Sequence, residues 1–112
     1  REMQPTLYQS KFLSLAEEFH KKSVHAEWSG KKAEANKYGR LCADNYLHAL
    51  NADDFEDEFK VSLYWKAVMQ HHEVRRTKTA VELAHRAVEL IDSNDNLERH
   101  RGMFAGFIAQ QR

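Results

Sequence analysis

The sequence predicts an all-α fold, in which about five antiparallel helices follow one another as helical hairpins. Its 112 residues include only one proline and four glycines, the residue types that most disfavour helix interiors. No run alternates apolar and polar residues as a half-buried strand would, and apolar residues instead recur every three or four positions. A chain of this length forms one domain. We therefore expect a single domain over residues 1–112, with helices near 6–28, 31–50, 54–73, 79–91 and 95–109.

The first predicted helix has a signal at each end. Thr6-x-x-Gln9 has the spacing of a capping box. In this motif the threonine hydroxyl accepts a hydrogen bond from the backbone N–H of the glutamine, and the glutamine side chain accepts one from the backbone N–H of the threonine. Gly30 is the expected stop, because glycine tolerates the left-handed conformation that follows many helices. Between these signals the apolar stripe consists of Tyr8, Phe12, Leu15, Phe19 and Ala26.

The second predicted helix carries small and aromatic residues on one face, and acids follow it. The stripe consists of Ala35, Tyr38, Cys42, Tyr46 and Ala49. Residues 51–58 then provide a turn in which Asp53 or Asp54 can cap the third helix. The acids of its first turn suit the positive end of the helix dipole.

The third predicted helix is apolar almost all round. Phe55, Phe59 and Leu63 lie on one side, and a second apolar side consists of Val61, Tyr64, Trp65 and Val68. Such a helix is either surrounded by neighbours or offers one side to a partner. We interpret the second side as a partner-binding surface, because tryptophan and tyrosine dominate the energetics of interfaces. The alternative is that these four residues form a core seam against the first and fifth helices.

The last two predicted helices also begin with capping-box spacings. Thr79-x-x-Glu82 opens the fourth helix and Asp95-x-x-Glu98 opens the fifth. The buried face of the fourth is expected to consist of Ala80, Leu83, Ala84, Ala87, Val88 and Ile91. The inward residues of the fifth are expected to be Leu97, Phe104, Phe107 and Ile108.

Two helices carry a small-x3-large-x2-Ala type of spacing. It occurs as Cys42-x3-Tyr46-x2-Ala49 and, with a smaller central residue, as Ala80-x3-Ala84-x2-Ala87. Residues 12–91 thereby resemble tetratricopeptide repeats at the level of the fold. That resemblance implies stacked helical hairpins that bind a peptide or a partner helix.

The charge of the chain argues against a dedicated nucleic-acid binder. Seventeen basic residues balance seventeen acidic ones, whereas nucleic-acid binders usually carry a basic excess. Local patches at 31–40 and 75–78 keep a nucleic-acid-binding regulator as the alternative function. Its candidate phosphate-contacting residues are Lys31, Lys32, Arg75, Arg76 and Lys78. A structural explanation exists for the second patch, because positive charge after a helix complements the helix dipole.

Neither catalysis nor metal binding is predicted. Glu17-x-x-His20 and Glu82-x-x-His85 have the spacing of di-iron ligands, but the second pair lies opposite the apolar face of its helix. Cys42 lies on an apolar face, where burial makes a thiol inert. The chain has no glycine-rich phosphate loop. We therefore expect no enzymatic activity, no metal site and no cofactor.

The predicted function is a non-enzymatic protein–protein interaction module, an adaptor or a regulatory domain. Its partner is expected to be another protein or a second copy of the chain, as in a homodimer. A single cysteine favours a reducing, cytoplasmic location. No apolar run approaches the ~20 residues that cross a bilayer, so a membrane partner is not expected.

Overall fold

A computed structural model describes residues 10–112, and every regular element in that range is helical, which confirms the all-α prediction. The helices are α1 (Lys11–Trp28), α2 (Lys32–Ala52), α3 (Asp57–Glu73), α4 (Thr77–Asp92), a 3-10 helix (Asp95–His100) and α5 (Arg101–Gln110). The chain divides after Phe55 into two compact units. Unit 1 contains α1 and α2, and unit 2 contains the remaining helices. Among residues 10–112, no helix is long and apolar enough to cross a membrane.

Unit 1 is a helical hairpin whose two helices pack along each other. Phe19 of α1 stacks on Tyr38 of α2, with ring centroids 6.1 Å apart and an angle of 17° between the rings. One side chain also joins the two helices by a hydrogen bond, because the Ser23 hydroxyl donates to the Ala35 carbonyl at 2.8 Å. The buried apolar residues of the two helices are Leu13, Ala16, Ala26, Cys42, Ala43, Tyr46, Ala49 and Leu50.

The ends of α1 are defined by Ser10 and Gly30. The buried Ser10 hydroxyl accepts from the Leu13 amide at 3.1 Å and donates to an Asp53 carboxylate oxygen at 2.5 Å. Gly30 has a φ of +76°, and the next amide, that of Lys31, donates back to Ala26 at 2.9 Å. The predicted stop at Gly30 is therefore confirmed. The predicted capping box of Thr6 and Gln9 lies outside the described residues.

Two predicted helix starts are wrong. Helix α3 begins at Asp57 after Glu56, rather than after Asp53 or Asp54. Asp53 instead follows the end of α2 and accepts the Ser10 hydroxyl. Helix α4 begins at Thr77, so Thr79 lies within its first turn rather than at the cap. Neither α3 nor α4 has a side-chain cap hydrogen bond at its start. The capping residues by which a sequence usually signals a helix start are therefore not used by these two helices.

The predicted fifth helix is divided in two. Asn94 accepts the Asn96 amide at 3.0 Å through its side chain and starts a 3-10 helix at Asp95. Helix α5 follows directly at Arg101. Asn94 also donates to Asp57 at 3.0 Å, which ties this junction to the start of α3.

The predicted apolar faces of unit 2 are largely confirmed. The buried residues of α4 are Ala80, Leu83, Ala84, Ala87 and Ile91, while Val88 is half-buried. Leu97 of the 3-10 helix and Phe104 and Phe107 of α5 are also buried, and Ile108 is half-buried. His72 of α3 meets Phe107 edge to face, with centroids 5.2 Å apart.

Ion pairs join the 3-10 helix to α3, and they join the first residue of α5 to α4 and to the 3-10 helix. Glu58 pairs with Arg99 and with His100, the latter at 2.8 Å. Arg101 joins Asp92 at 2.6 Å and Glu98 at 2.7 Å. The hydrogen bond from His100 and the neighbouring Arg99 guanidinium hold the pKa of Glu58 below its ordinary value.

Candidate functional site

The structure buries most of the second apolar side of the third helix. Val61, Tyr64 and Val68 are buried, and Trp65 is half-buried. The rings of Trp65 and of Phe104 in α5 meet edge to face, with centroids 5.4 Å apart and planes at 87°. The contact with α5 agrees with one half of the alternative, a core seam against the first and fifth helices. A partner-binding role for the four residues stays a prediction, and it is not supported by an open surface at Val61, Tyr64 or Val68.

The candidate phosphate-contacting residues fall in both units. Lys31 and Lys32 are exposed at the start of α2 in unit 1, whereas Arg75 and Lys78 are exposed in unit 2, and Arg76 is half-buried there. Arg75 has a φ of +67°, and its position is set by the end of α3, because the next amide donates to His71 at 2.8 Å. The backbone of Arg75 and Arg76 thus closes α3, and the role of their charges stays a prediction.

Unit 1 contains a surface cleft at the turn between α1 and α2, with a volume of about 320 Å³. This volume is at the lower end of the range of small ligand sites. Its lining comes from the last turns of α1, from the turn and from the first turns of α2. The lining residues are Lys21, Lys22, His25, Ala26, Ser29, Lys31, Glu34 and Tyr38. Three of the eight are lysines and only Glu34 is acidic, so the cleft is positively charged.

One wall of the cleft is held in place by aromatic rings. The Lys22 ammonium lies 5.7 Å from the centroid of Tyr38 and 5.8 Å from that of Phe19. The two rings also stack on each other. Cation–π attraction to these stacked rings therefore orders the Lys22 side chain before any ligand binds.

Trp28 lies next to Ser29 of the cleft and is the most exposed large apolar residue within residues 10–112. Its side chain, at the last residue of α1, is 85% exposed. At about 100° per residue, a residue seven positions along a helix returns to within about 20° of the same direction, so Trp28 shares the side of α1 that carries Lys21. It also directly precedes Ser29, which lines the cleft.

Sequence reasoning did not identify this cleft, although the sequence contained a signal for Trp28. Relative to the apolar stripe of α1, which includes Phe12 and Phe19, helical periodicity places Trp28 about 140–180° away. A tryptophan on the polar face of a helix is a candidate for binding. The cleft itself needs residues from two helices on either side of a turn, and no single helical stripe predicts such a set.

Potential catalytic side chains of the cleft and potential metal ligands are considered in turn for the residues that the structure describes. His25, Ser29 and Glu34 all line the cleft, but no hydrogen bond described for residues 10–112 joins their side chains as nucleophilic catalysis requires. Cys42 is fully buried in α2. Burial raises the pKa of the neighbouring Tyr46, with which Cys42 shares a hydrogen bond. Within this part of the chain no group of three or more potential metal-ligating side chains comes together.

The fold and the cleft together define an all-α chain with a positively charged cleft at the turn of its first hairpin. Comparisons with protein-family models, with curated proteins and with solved structures find no match to this chain. The resemblance to tetratricopeptide repeats stays a prediction.

Proposed function

We propose that this chain is a non-enzymatic protein–protein interaction module, acting as an adaptor or a regulatory domain. The observation that carries the proposal is Trp28, which is 85% exposed and directly precedes Ser29 in the lining of a charged cleft. Tryptophan buries about 150–250 Å² when it is covered, and it is among the residue types enriched at the energetic centres of interfaces. A covering partner would therefore gain much of its binding energy at this one side chain.

The cleft beside Trp28 supports binding by a protein rather than by a small apolar compound. It is small, and three lysines and a glutamate contribute to its lining. Small-molecule sites are lined mostly by apolar and aromatic residues. A protein partner can place one side chain in the cleft and cover Trp28 with another.

The experiment is a selection of peptides from a displayed library of random sequences on the purified chain. The matched variants are Trp28→Ala, which removes the ring, and Trp28→Phe, which keeps an aromatic group at the same position. We expect selected peptides to bind wild type, to bind Trp28→Phe more weakly, and to bind Trp28→Ala at least about tenfold more weakly, because the alanine variant lacks the covered ring. A tenfold loss of affinity corresponds to about 1.4 kcal/mol of binding free energy.

Equal unfolding free energies for the three proteins show that the variants remain folded. Selected peptides that bind Trp28→Ala as tightly as wild type would overturn the proposal, as would a selection that yields no binders. Sedimentation of the free chain tests the self-associating form of the proposal. A concentration-dependent dimer that Trp28→Ala abolishes would identify a second copy as the partner.

The alternative function is a nucleic-acid-binding regulator that uses the patches at 31–40 and 75–78. The exposed Lys31 and Lys32 favour it, because lysines at the start of α2 can contact phosphates. Binding of a labelled single-stranded RNA or duplex DNA should then weaken steeply as salt rises, since phosphate contacts release counterions. Lack of binding at low salt would exclude this function.

A further inference from the structure

Positive charge in unit 1 is concentrated at one end of the hairpin. Residues 21–40, which we call the tip, contain six lysines and arginines and two glutamates, a net charge of +4. The other described part of unit 1, residues 10–20 and 41–55, contains one lysine and five acids, a net charge of −4. We call it the open end. The hairpin connection places the two ends at opposite ends of the paired helices.

The cleft lies within the positive tip. Lys21, Lys22 and Lys31 line it, and a low-dielectric concave surface strengthens the field of the charges around it. Helix α2 starts beside the cleft, and its N-cap residue, Lys31, makes no side-chain cap hydrogen bond. The positive end of the α2 dipole therefore adds to the field of the lysines. A negatively charged group is the ligand that this field favours.

The size and composition of the cleft favour carboxylates over a phosphate backbone. At about 320 Å³ the cleft accommodates one or two side chains. Glu34 lines it, and Glu27 directly precedes Trp28. A nucleic acid, which carries a negative charge at every phosphate, would place some of those charges near these two glutamates. Separate carboxylates on a peptide can occupy the lysine side of the cleft alone.

We propose that the cleft takes a carboxylate of an acidic segment in a partner protein, and that an apolar side chain of the same segment covers Trp28. This inference rests on the proposed function and names the class of partner. Lys21 and Trp28 are about 10 Å apart along α1, at 1.5 Å of rise per residue. An extended peptide spans that distance in about three residues, so the segment carries its apolar residue about three positions from its acidic one.

The first test is the charge of the peptides selected on the wild-type chain from the unbiased library. We expect those that depend on Trp28 to be enriched in aspartate and glutamate, with an apolar residue about three positions away. Peptides that depend on Trp28 but are basic or uncharged would overturn this inference and leave the proposed function standing. The failure to find any Trp28-dependent peptide would overturn both.

The second test measures binding of a fluorescein-labelled peptide of about a dozen residues, with two adjacent glutamates and a leucine three positions beyond them. Its control peptide has glutamine at both glutamate positions. We expect the acidic peptide to bind wild type about tenfold more tightly than the control, and to lose affinity as salt is raised. Equal affinities for the two peptides would overturn the inference.

Charge-reversal variants locate the binding to the cleft. Lys21→Glu with Lys31→Glu should weaken binding of the acidic peptide by about tenfold or more. Lys66→Glu with Lys78→Glu changes the net charge equally at exposed positions in unit 2, and this control should leave the affinity close to that of wild type. Equal losses in the two double variants would show a general charge effect and overturn the assignment to the cleft. Lys22 is left unchanged because it packs over Phe19 and Tyr38.

Other occupants have distinct outcomes in the same assay. A labelled RNA that binds more tightly than the acidic peptide and competes with it would favour the nucleic-acid function and overturn this inference. A second copy of the chain, which could place its negative open end at the tip, would appear as self-association that the Lys21→Glu and Lys31→Glu changes abolish. If such self-association occurs and the acidic peptide does not bind, the occupant of the cleft is a second copy of the chain, and the inference of an acidic partner protein is overturned.

Discussion

Gly30 and Arg75 occupy the same position at the ends of two helices but differ in how well they suit it. Each has a positive φ, +76° at Gly30 and +67° at Arg75. After each, the following amide reaches back to close the helix, Lys31 to Ala26 at 2.9 Å and Arg76 to His71 at 2.8 Å. Glycine adopts this conformation without strain, whereas a residue with a Cβ is strained by about 1–2 kcal/mol. The end of α3 is therefore less stable than it could be.

A first prediction follows for position 75. Arg75→Gly should have an unfolding free energy about 1 kcal/mol higher than that of Arg75→Ala, because both lose the charge and only glycine relieves the strain. Gly30→Ala should lower the unfolding free energy of wild type by about 1 kcal/mol, although no atom lies within 4 Å of the added Cβ. Urea denaturation measures all three. Equal stability of the glycine and alanine variants at position 75 would contradict the assigned backbone strain.

A second prediction concerns the two tryptophans. Trp65→Ala should lower the unfolding free energy by about 3 kcal/mol, because Trp65 is half-buried against Phe104. Trp28→Ala should change it by less than about 0.5 kcal/mol, because Trp28 is exposed. The same denaturation experiment compares them. Comparable losses in the two variants would show that Trp28 also packs in the folded chain, and the proposed binding surface would then have to be abandoned.

At the scale of elements, the short 3-10 helix depends on polar ties to its neighbours. Glu58 at the start of α3 pairs with Arg99 and His100, and Arg101 pairs with Asp92. Each of these pairs includes at least one side chain that is half or more exposed, namely Glu58 or Asp92, so each pair adds little stability by itself. Their joint effect is to fix where the chain leaves α4 and enters α5.

A third prediction uses the lowered pKa of Glu58. A carboxylate whose folded pKa is below its unfolded value stabilises the fold above the unfolded pKa, near pH 4.3. That contribution is lost as the pH falls through the lower folded value. Glu58→Gln should therefore be less stable than wild type at pH 7, and the difference should shrink as the pH falls below about 4. Urea titrations at the two pH values measure it, with Glu82→Gln, an exposed site in α4, as the control. A difference that grows toward low pH would contradict the assignment.

The helical elements could be predicted from the sequence because their apolar spacing is regular. The buried face of α4 follows its stripe closely, whereas Ala26 is the one stripe residue of α1 that is buried within residues 10–112, where Leu13 and Ala16 are buried as well. The starts of α3 and α4 could not be predicted from the sequence, because the residues that precede these helices, Glu56 and Arg76, make no capping hydrogen bond with their side chains. The third helix was ambiguous for a physical reason: apolar residues on two sides fit either a core position or an interface. The packing of Trp65 on Phe104 shows a core contact that the sequence pattern alone could not show.

At the scale of the whole molecule, a net charge of zero conceals a separation of charge. Unit 1 has a tip of +4 and an open end of −4 over its described residues. The overall balance gave no hint of a charged binding surface, because it does not record where the charges lie in space. The sequence order held that information, but only the pairing of α1 with α2 shows which charges share an end.

A fourth prediction follows from this separation. Opposite ends of different molecules attract one another at low ionic strength, so light scattering should report net attraction between chains in low salt that weakens as salt is added. Lys32→Glu combined with Asp54→Lys keeps the net charge at zero but lowers the charge at each end by two. Both positions are exposed. This swap should reduce the attraction in low salt, and an unchanged scattering signal would show that the separation has no effect between molecules.

Trp28 also has a practical consequence, because it gives the chain its own optical reporter. An indole in water emits at longer wavelengths than a covered one and is readily quenched by dissolved acrylamide. Only two tryptophans are present, and the half-buried Trp65 contributes a background that Trp28→Phe isolates. A partner that covers the ring should shift the emission of the wild-type chain to shorter wavelengths and protect it from the quencher. Unlabelled candidates can thus be screened in solution, and the spectrum itself reports whether contact occurs at this side chain.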